Sequence, residues 1–343
     1  GIQSDVTARR EAEDQLRRVK EALEEDLRLA ARVQQALLPP AEIRVGGLSI
    51  ARAFHPCTGL AGDAVGVVPL LDGQVGLYLL DVSGHGVGAA LLSFTLNHRL
   101  SPSVEGGLLV EESGHGPIVV APSRVAERLN RQFPMDRTRQ YFTFAYGVLD
   151  GLQGRFRYVL AGHPAPVLVP RAGPAAPLQG GGLPVGMIEH ATFADETVTL
   201  QPGDRLYFYT DGVIEAQDAS EEEFGYARLV AELDRLRDRP LRAGLDVVAA
   251  LVRDWSGGDL RDDVSLLAVE RVGAVADPVG RIDVPVDALG HAPLDAAHAH
   301  QQHRLLLRVC FVLAVLGDHL EPVADELLRP VALLAGLARG PQA

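Results

Sequence analysis

Three acidic motifs, far apart in the chain, each border a short apolar run. Asp81 follows the apolar residues 75–80, Asp211 follows residues 206–209, and Asp262 precedes residues 264–269. Short runs rich in Val, Leu, Tyr and Phe and bounded by Gly or Asp are typical of buried strands. A carboxylate at a strand end is held by rigid backbone and still reaches solvent. The motifs therefore predict strand ends that converge on an oxygen-rich site for a hard divalent cation such as Mg²⁺ or Mn²⁺.

Each motif has a simpler interpretation when it is taken alone. Asp-Gly pairs are common in turns, and a single Asp at a strand end is more often a turn or cap residue than a ligand. The conjunction of the three motifs with the residues around them favours the metal site.

The acidic motifs belong to an ordered series of fragments that spans most of the chain. The fragments are residues 31–39, 62–63, 80–86, 89–92, 141–150, 161–166, 182–186, 202–206, 209–216 and 262–265. In this order they resemble the SpoIIE/RsbU-like branch of the PPM (protein phosphatase 2C-type) metal-dependent Ser/Thr phosphatases. The resemblance runs from about residue 30 to residue 269. Each fragment is weak by itself, and the ordered series is specific.

The resemblance implies the fold of the central part of the chain. It predicts a PPM phosphatase domain over residues 39–272, in which two antiparallel sheets are flanked by helices. The sequence pattern agrees, because strand-like runs alternate with helix-like stretches in the manner of an α+β layered sandwich. We expect strands at 141–149, 155–160, 166–169, 196–200 and 205–210. We expect helices after Gly86 and over residues 123–133 with Ser123 as the cap, and a lengthened loop around residues 113–116.

The resemblance also implies the site residues. Asp81 is expected to bridge two ions, Mn²⁺ or Mg²⁺, with the carbonyl of Val82 as a further ligand. Asp211 and Asp262 would complete the shell of the first ion, and Asp63 would hold the waters of the ions or bind the second ion. Water between two cations is acidified and attacks phosphorus directly, so that no protein nucleophile is needed.

Two acids and two histidines in the motifs leave alternatives open. Asp262 is favoured over Asp263 as the ligand because residues 262–265 align with the Asp-Asn/Asp-x-Ser/Thr pattern of the family. His85 is the better candidate for donating a proton to the leaving serine oxygen. A His in a Gly-rich turn, such as His85 or His163, more often serves to hydrogen-bond the loop.

The first motif departs from the family pattern. The family commonly has Gly-Gly-Asp-Phe-Tyr-Asp, whereas residues 61–66 here end in Gly66 and lack the aromatic residues and the second acid. We therefore expect the second ion to bind loosely, and an acid at position 66 to tighten it. A smaller departure is Leu160, where the family usually has Asn.

Composition agrees with a catalytic domain and excludes some partners. The 343-residue chain is long enough for one large domain with appendages, and its formal charge is −13. That charge argues against a nucleic-acid partner, which needs clustered Lys and Arg. Cys57 and Cys310 are distant and have no metal-type spacing, which favours a reduced, cytoplasmic compartment.

The N-terminal region predicts a sensor connection. Residues 1–6 resemble the last strand of a PAS-type sensor domain, so we expect an upstream sensor in the same polypeptide. Residues 7–38 follow as a helix capped by Thr7 and stopped by Pro39. Its apolar residues keep a heptad spacing, with Asp26 in one seam position: Ala12, Leu16, Val19, Leu23, Ala30, Val33 and Leu37. This spacing favours a parallel coiled coil and a homodimer, and the alternative is one amphipathic helix lying on its own domain.

The C-terminal region resembles no family that we recognise. Residues 273–302 are expected to form a linker, and residues 303–343 a helical tail with an apolar surface that packs on the phosphatase domain or on a partner. The apolar run is too short to span a bilayer and is interrupted by Arg308. His298, His300 and His303 could hold a metal ion, but their spacing favours a solvated linker.

These observations predict a metal-dependent hydrolase of phosphoserine or phosphothreonine in proteins. The resemblance implies bacterial partner switching, with a phosphorylated anti-sigma factor antagonist of STAS type as the substrate. The alternative is a signalling adaptor that has lost activity with the altered first motif.

Overall fold

A computed structural model describes residues 2–57, 59–100 and 107–273 of the chain. The chain divides into two compact units with the boundary between Ala36 and Leu37. Residues 274–302 of the expected linker, the helical tail 303–343 and the histidines His298, His300 and His303 lie outside the described residues.

The N-terminal unit is a helix, α1 (Ile2–Leu37). The predicted strand over residues 1–6 is wrong for residues 2–6, and Thr7 is not the cap, because the helix already includes these residues. A strand needs a neighbour for its backbone hydrogen bonds, whereas a helix satisfies these groups within itself. The end of α1 at Leu37, two residues before Pro39, agrees with the predicted stop.

The larger unit contains thirteen strands and six helices within its described residues. In chain order the strands are β1 (Glu42–Val45), β2 (Leu48–His55), β3 (Ala64–Pro69), β4 (Gln74–Val82), β5 (Val110–Ser113), β6 (Gly116–Val119), β7 (Phe142–Asp150), β8 (Arg155–Ala161), β9 (Val167–Val169), β10 (Ala176–Pro177), β11 (Glu196–Thr199), β12 (Arg205–Tyr209) and β13 (Val264–Arg271). The helices are α2 (Val87–Arg99), α3 (Pro122–Gln132), α4 (Met135–Thr138), α5 (Asp211–Ile214), α6 (Tyr226–Arg235) and α7 (Leu241–Trp255).

Two antiparallel sheets form the centre of this unit. One sheet has six strands in the order β1-β2-β13-β12-β9-β10, and the other has five in the order β11-β8-β7-β4-β3. Helices α2 and α3 pack on the five-stranded sheet, and α7 packs on β2 and β13 of the six-stranded sheet. The arrangement of helices, sheet, sheet and helices confirms the predicted α+β layered sandwich.

Three apolar clusters hold the layers together. Leu77, Leu79, Phe156 and Leu267 belong to the cluster between the sheets. Alternate residues of the same strands, such as Leu80, join the cluster that includes α2 and α3. A strand buried on both faces needs apolar residues at successive positions, which explains the continuous run at residues 75–80. The third cluster covers the other sheet with α6 and α7.

The helices and the loop differ in part from the sequence predictions. The five predicted strand runs are present, and α2 lies where it was expected. Helix α3 begins with Pro122 after Ala121, so Ser123 is not its cap. Residues 113–116 form the turn of a hairpin between β5 and β6 rather than an open loop. Helices α6 and α7 were not predicted, although Leu241, Leu245, Val248, Ala249 and Val252 show the apolar spacing of one helix face.

None of the helices in the described ranges is both long and apolar enough to cross a membrane.

A buried arginine ties the six-stranded sheet to the segment between α6 and α7. Arg205, in β12, bonds Glu270 at 2.8 Å and donates to the carbonyl of Arg239 at 2.7 Å, and its side chain is only 8% exposed. Arg205→Met leaves that carboxylate and carbonyl without their partner. Breaking a buried ion pair costs roughly 3–5 kcal/mol. We predict a loss of about 3 kcal/mol in the free energy of unfolding by urea denaturation.

The matched control is Arg44→Met, since the Arg44 side chain is 81% exposed. This variant should unfold within about 0.5 kcal/mol of the native protein. Equal stability of the two variants would contradict the structural role of Arg205.

Candidate functional site

Two carboxylates face each other across neighbouring strands of the five-stranded sheet. Ala64 pairs with Leu80, so the same register places Asp63, just before β3, opposite Asp81 in β4. The charge of Asp81 helps to raise the pKa of Asp63, so the two carboxyl groups lie close together. Asp81 also lies opposite Thr143 of β7. A row of oxygen atoms therefore crosses one end of this sheet.

The six-stranded sheet supplies two more carboxylates at the same end. Asp211 begins α5 just after β12, and Asp262 lies just before β13. These strands are neighbours, with Tyr209 opposite Leu266. Both carboxylates are close enough to Asp81 to raise its pKa. The structure therefore brings together Asp63, Asp81, Asp211 and Asp262, as the sequence predicted.

Thr210 connects the two sheets at this site. Its hydroxyl donates to the buried carboxylate of Asp63 at 3.0 Å and accepts from the backbone N–H of Ser265 at 3.1 Å. Its own N–H donates to the carbonyl of Ser265 at 3.1 Å. One side chain thus fixes the spacing between the acidic motifs of different sheets.

Glycines allow the motifs to approach closely at two points. A Cβ atom on Gly212 would lie 2.2 Å from the carbonyl oxygen of Asp263, and one on Gly62 would lie 3.1 Å from the carbonyl oxygen of Val82. Side chains there would push the acidic residues apart. The Gly after Asp211 is therefore required by packing, and the Gly before Asp63 lies in a tightly packed position.

The carboxylates raise one another's pKa values. The pKa of Asp81 rises to about 8, through burial first and then through Asp211, Asp262 and Asp263. Burial raises the pKa of Asp63 well above its ordinary value, and the charges of Asp81 and Asp263 raise it further. The pKa values of Asp211 and Asp262 are also raised, mainly by burial. The site therefore holds more negative charge than its surroundings stabilise, which is the condition that a bound cation relieves.

The adjacent acids Asp262 and Asp263 have different surroundings. Asp263 is 6% exposed, and its two carboxylate oxygens accept from the N–H of Cys57 at 2.9 Å and of Gly62 at 2.8 Å. The Asp262 carboxylate accepts only the N–H of the next residue within the described hydrogen bonds, at 2.8 Å. Asp263 thus holds the loop that leads to Asp63, and Asp262 is left to face Asp211.

The two histidines also have different surroundings. His85 is exposed at the rim, and its charge lowers the pKa of Asp262. His163 is buried, with Nδ1 at 2.7 Å from the hydroxyl of Thr143. Burial lowers the pKa of His163 to about 3, so its ring is neutral at neutral pH. His163 therefore supports the loop and Thr143, whereas His85 can reach a bound molecule.

The donor atoms fit a hard divalent cation. Asp63, Asp81, Asp211, Asp262 and the carbonyl of Val82 offer oxygen ligands, which Mg²⁺ and Mn²⁺ prefer. Within the described residues, no three His, Cys, Asp or Glu side chains already form a cage for an ion. Like charges repel one another, and a bound cation would draw the carboxylate oxygens together. The oxygen ligands thus fit Mg²⁺ or Mn²⁺ chemically, although three of these side chains do not already form a coordination shell.

The expected role of position 66 does not fit the geometry. Residues 65 and 67 of β3 face the core between the sheets, on the side of Asp63, whereas Gly66 faces the helix layer. A Cβ atom on Gly66 would lie 2.1 Å from the ring of Tyr78. An acid at this position would meet that ring and would point away from Asp63, because side chains alternate along a strand. The Gly66→Asp exchange is therefore expected to disrupt packing and not to strengthen an ion site.

The bridging role of Thr210 and the loop-holding role of Asp263 were not predicted from the sequence, although both residues lie inside the acidic motifs. Their hydrogen bonds cross from one sheet to another, and nothing in the spacing of the motifs indicates which atoms meet.

Comparisons with known proteins agree with this geometry. Residues 71–272 match the family described as "Stage II sporulation protein E (SpoIIE)". The chain is 26% identical to Protein IcfG of Synechocystis sp. over 72% of this chain and 41% of that protein. It is 27% identical to Phosphoserine phosphatase RsbP of Bacillus subtilis over 55% of this chain and 45% of that protein. The matched part thus spans less than half the length of each relative.

A solved structure shows the fold. The SiaA-PP2C domain of Pseudomonas aeruginosa superposes with a TM-score of 0.61 at 18% identity, over 74% of this chain and 98% of that domain. The larger unit therefore has the PP2C phosphatase fold that the sequence predicted.

The contacts of Asp263 can be tested through backbone exchange. Asp263→Ala removes the acceptors of two amides, so we predict at least tenfold faster hydrogen exchange at Cys57 and Gly62. This corresponds to a free energy of local opening that is lower by about 1.4 kcal/mol or more. Asp262→Ala is the control, because this neighbouring acid does not accept from either amide. Exchange that is equally slow in both variants, measured by mass spectrometry of the peptide over residues 55–63, would refute the loop-holding role.

Proposed function

Because this chain belongs to the SpoIIE family, we propose that it is a metal-dependent protein phosphatase that hydrolyses phosphoserine or phosphothreonine in a partner protein. The curated relatives are about twice as long as the part they share with this chain. The activity, the metal and the partner are therefore all proposed here.

The observation that carries the proposal is the convergence of four carboxylates from two sheets. Buried carboxylates that raise one another's pKa values destabilise a fold, and such clusters are concentrated at functional sites. Asp81 lies at the centre, with Asp63 on one side and Asp211 and Asp262 on the other. The same arrangement has no evident value for a purely structural role.

The proposed ligands follow from this arrangement. Asp81, Asp211, Asp262 and the carbonyl of Val82 would hold one Mn²⁺ or Mg²⁺ ion, and Asp81 and Asp63 a second. When bound, these ions supply charge for the phosphoryl oxygens and lower the pKa of a water molecule. Asp63 is fixed by Thr210, and its loop is held by Asp263, so these two residues orient the ligands and do not react.

His85 is the proposed proton donor. Its exposed ring lies near Asp262 at the rim, where the leaving oxygen of a phosphoserine side chain would be positioned. A proton given to that oxygen lets it depart as a neutral hydroxyl. His163 is excluded from this role, because its ring is buried and neutral.

The proposed substrate is a phosphorylated protein of a signalling pathway. One relative is named Phosphoserine phosphatase RsbP. By this similarity we propose that the substrate is an anti-sigma factor antagonist of STAS type in a cytoplasmic partner-switching pathway. The alternative, an inactive adaptor, rested on the altered first motif. That motif still supplies Asp63, and position 66 points away from the site, so the phosphatase is favoured.

Replacement of the central acid tests the activity. We predict that Asp81→Asn abolishes Mn²⁺-dependent hydrolysis of p-nitrophenyl phosphate. Asp211→Asn and Asp262→Asn should each lower kcat by about two orders of magnitude, as expected when charge stabilisation of the transition state is lost. The control is Asp150→Asn, at the opposite end of β7, which should keep the native rate. Native activity in Asp81→Asn would disprove the assignment, and inactivity of the native protein with either ion would favour the adaptor.

The proposed control of the enzyme is a homodimer through α1. Leu16 and Val19 of the heptad stripe are 70% and 58% exposed in the single chain. Such a stripe is stabilised when two helices pair in parallel, and a coiled coil can hold two registers of similar energy. Input from a sensor domain of the same polypeptide would bias the register and thereby the phosphatase.

The seam position of Asp26 tests the dimer. Asp26→Leu replaces a charge in the apolar stripe, so we predict a dimer that dissociates at lower protein concentration in sedimentation experiments, with a changed rate of phosphoprotein hydrolysis. Asp14→Leu is the matched control, because Asp14 lies outside the stripe and its side chain is 54% exposed. A monomer in both variants would show that α1 is only a connector.

A further inference from the structure

Both methionines of the chain are exposed on one surface beside the candidate site. Met135 is 40% exposed, and Met187 is 39% exposed and followed by Ile188 at 50%. The N–H of Met135 donates to the carbonyl of Gly186 at 2.8 Å, which brings the two segments together. We call Met135, Met187 and Ile188 the methionine surface. Large apolar side chains that are exposed together mark binding surfaces, and methionine adapts its shape to different partners.

The methionine surface is held in place by a buried asparagine. Asn130, in α3, is 1% exposed and donates to the carbonyls of Ile188 and Glu189, both at 2.9 Å. Its side-chain oxygen accepts from the N–H of Gly186 at 2.7 Å. The loop is therefore fixed before any partner arrives, which lowers the entropy lost on binding.

The same surface is connected to the candidate site by a short stretch of chain. Gln140 donates to the carbonyl of Ser83 at 3.2 Å, and the N–H of Tyr141 donates to the hydroxyl of Ser83 at 3.1 Å. Ser83 lies two residues after Asp81. A protein that presents a side chain to Asp81 would thus contact this stretch and then the methionine surface.

Arg139 lies in the chain between Met135 and Gln140, and its N–H donates to the carbonyl of Met135 at 2.8 Å. Arg139 is exposed, and within the described part of the chain it forms no ion pair. Its φ of 58° lies in the left-handed region, where glycine usually ends a helix. Arginine in this conformation is disfavoured, and disfavoured backbone is concentrated at functional positions. Asp136 and Glu189 also border the surface, and their carboxylates would repel a phosphate. The phosphate is therefore assigned to Arg139, next to Gln140.

We propose that the methionine surface with Arg139 is the docking surface for the phosphorylated partner, with Arg139 bonding the phosphate and the apolar residues packing on the segment beside the phosphoserine. Arg139, which has no ion pair among the described residues, and the hydrogen bonds from Gln140 and Tyr141 to Ser83 favour this occupant over a second copy of the chain. The inference rests on the proposed function, because it names how the substrate of that same site is recognised.

Binding of labelled peptides tests the docking surface without any turnover. The probes are two short fluorescent phosphoserine peptides in EDTA, one with Leu residues beside the phosphoserine and one with Ala in their place. By fluorescence anisotropy, the native chain should bind the Leu peptide about tenfold more tightly than the Ala peptide. In the Met187→Gln, Ile188→Gln double variant this preference should fall below about twofold.

Arg139 is tested with a variant that is expected to keep the fold. Arg139→Gly places the residue that the left-handed conformation favours, so the fold should be at least as stable. We expect about fivefold weaker binding of both phosphopeptides. A third probe, the Leu peptide with serine in place of phosphoserine, should bind the variant and the native chain equally. The controls are Leu152→Gln and Arg155→Gln, which are exposed at the far end of the sheet and should leave both affinities unchanged.

Three results would overturn the inference. The first is an unchanged preference for the Leu peptide over the Ala peptide in the double variant, and the second is an unchanged phosphopeptide affinity in Arg139→Gly. The third is a loss of self-association in the double variant, measured by sedimentation, which would make the surface an interface between copies of the chain. Because binding is measured in EDTA, these results are distinct from failure of the proposed function, which would appear as absent hydrolysis of p-nitrophenyl phosphate.

Discussion

The mutual repulsion of Asp63 and Asp81 is the interaction on which the rest of the site depends. The two carboxyl groups face each other at one end of a sheet, and burial and neighbouring acids raise the pKa of both. Such a pair destabilises the fold unless a proton or a cation lies between its members. The surrounding structure must therefore hold the acids in place, and Thr210 does so by joining Asp63 to the strand that carries Ser265.

The two sheets divide the work between stability and chemistry. Their facing sides and the helix layers bury continuous apolar runs, while one end of the sandwich collects the carboxylates. Asp263 links the two regions, because it is buried near the start of β13 and holds the loop before Asp63. The structure thus places the destabilising charges at an edge, where cations and water have access.

Much of the fold and the acidic site could be predicted from the sequence. The apolar runs beside Asp81, Asp211 and Asp262 form β4, β12 and β13, and these strands bring the three acids to one end of the sandwich. Position 66 was misjudged, because the direction of a side chain depends on the strand register with Tyr78, which a motif does not contain. The roles of Asp262 and Asp263 separated only with their hydrogen-bond partners. Helices α6 and α7 were not predicted, although Leu241, Leu245 and Val248 of α7 have the apolar spacing of one helix face.

The account's central claim is that the acidic cluster is destabilising alone and is stabilised by divalent cations. Thermal unfolding of the full chain tests this most directly, with Mn²⁺ and with EDTA. Asp81→Asn should raise Tm in EDTA by about 2–4 °C for each kcal/mol of repulsion that it relieves, and should abolish the rise that Mn²⁺ causes in the native protein. A lower Tm of Asp81→Asn in EDTA, with an undiminished response to Mn²⁺, would contradict the claim.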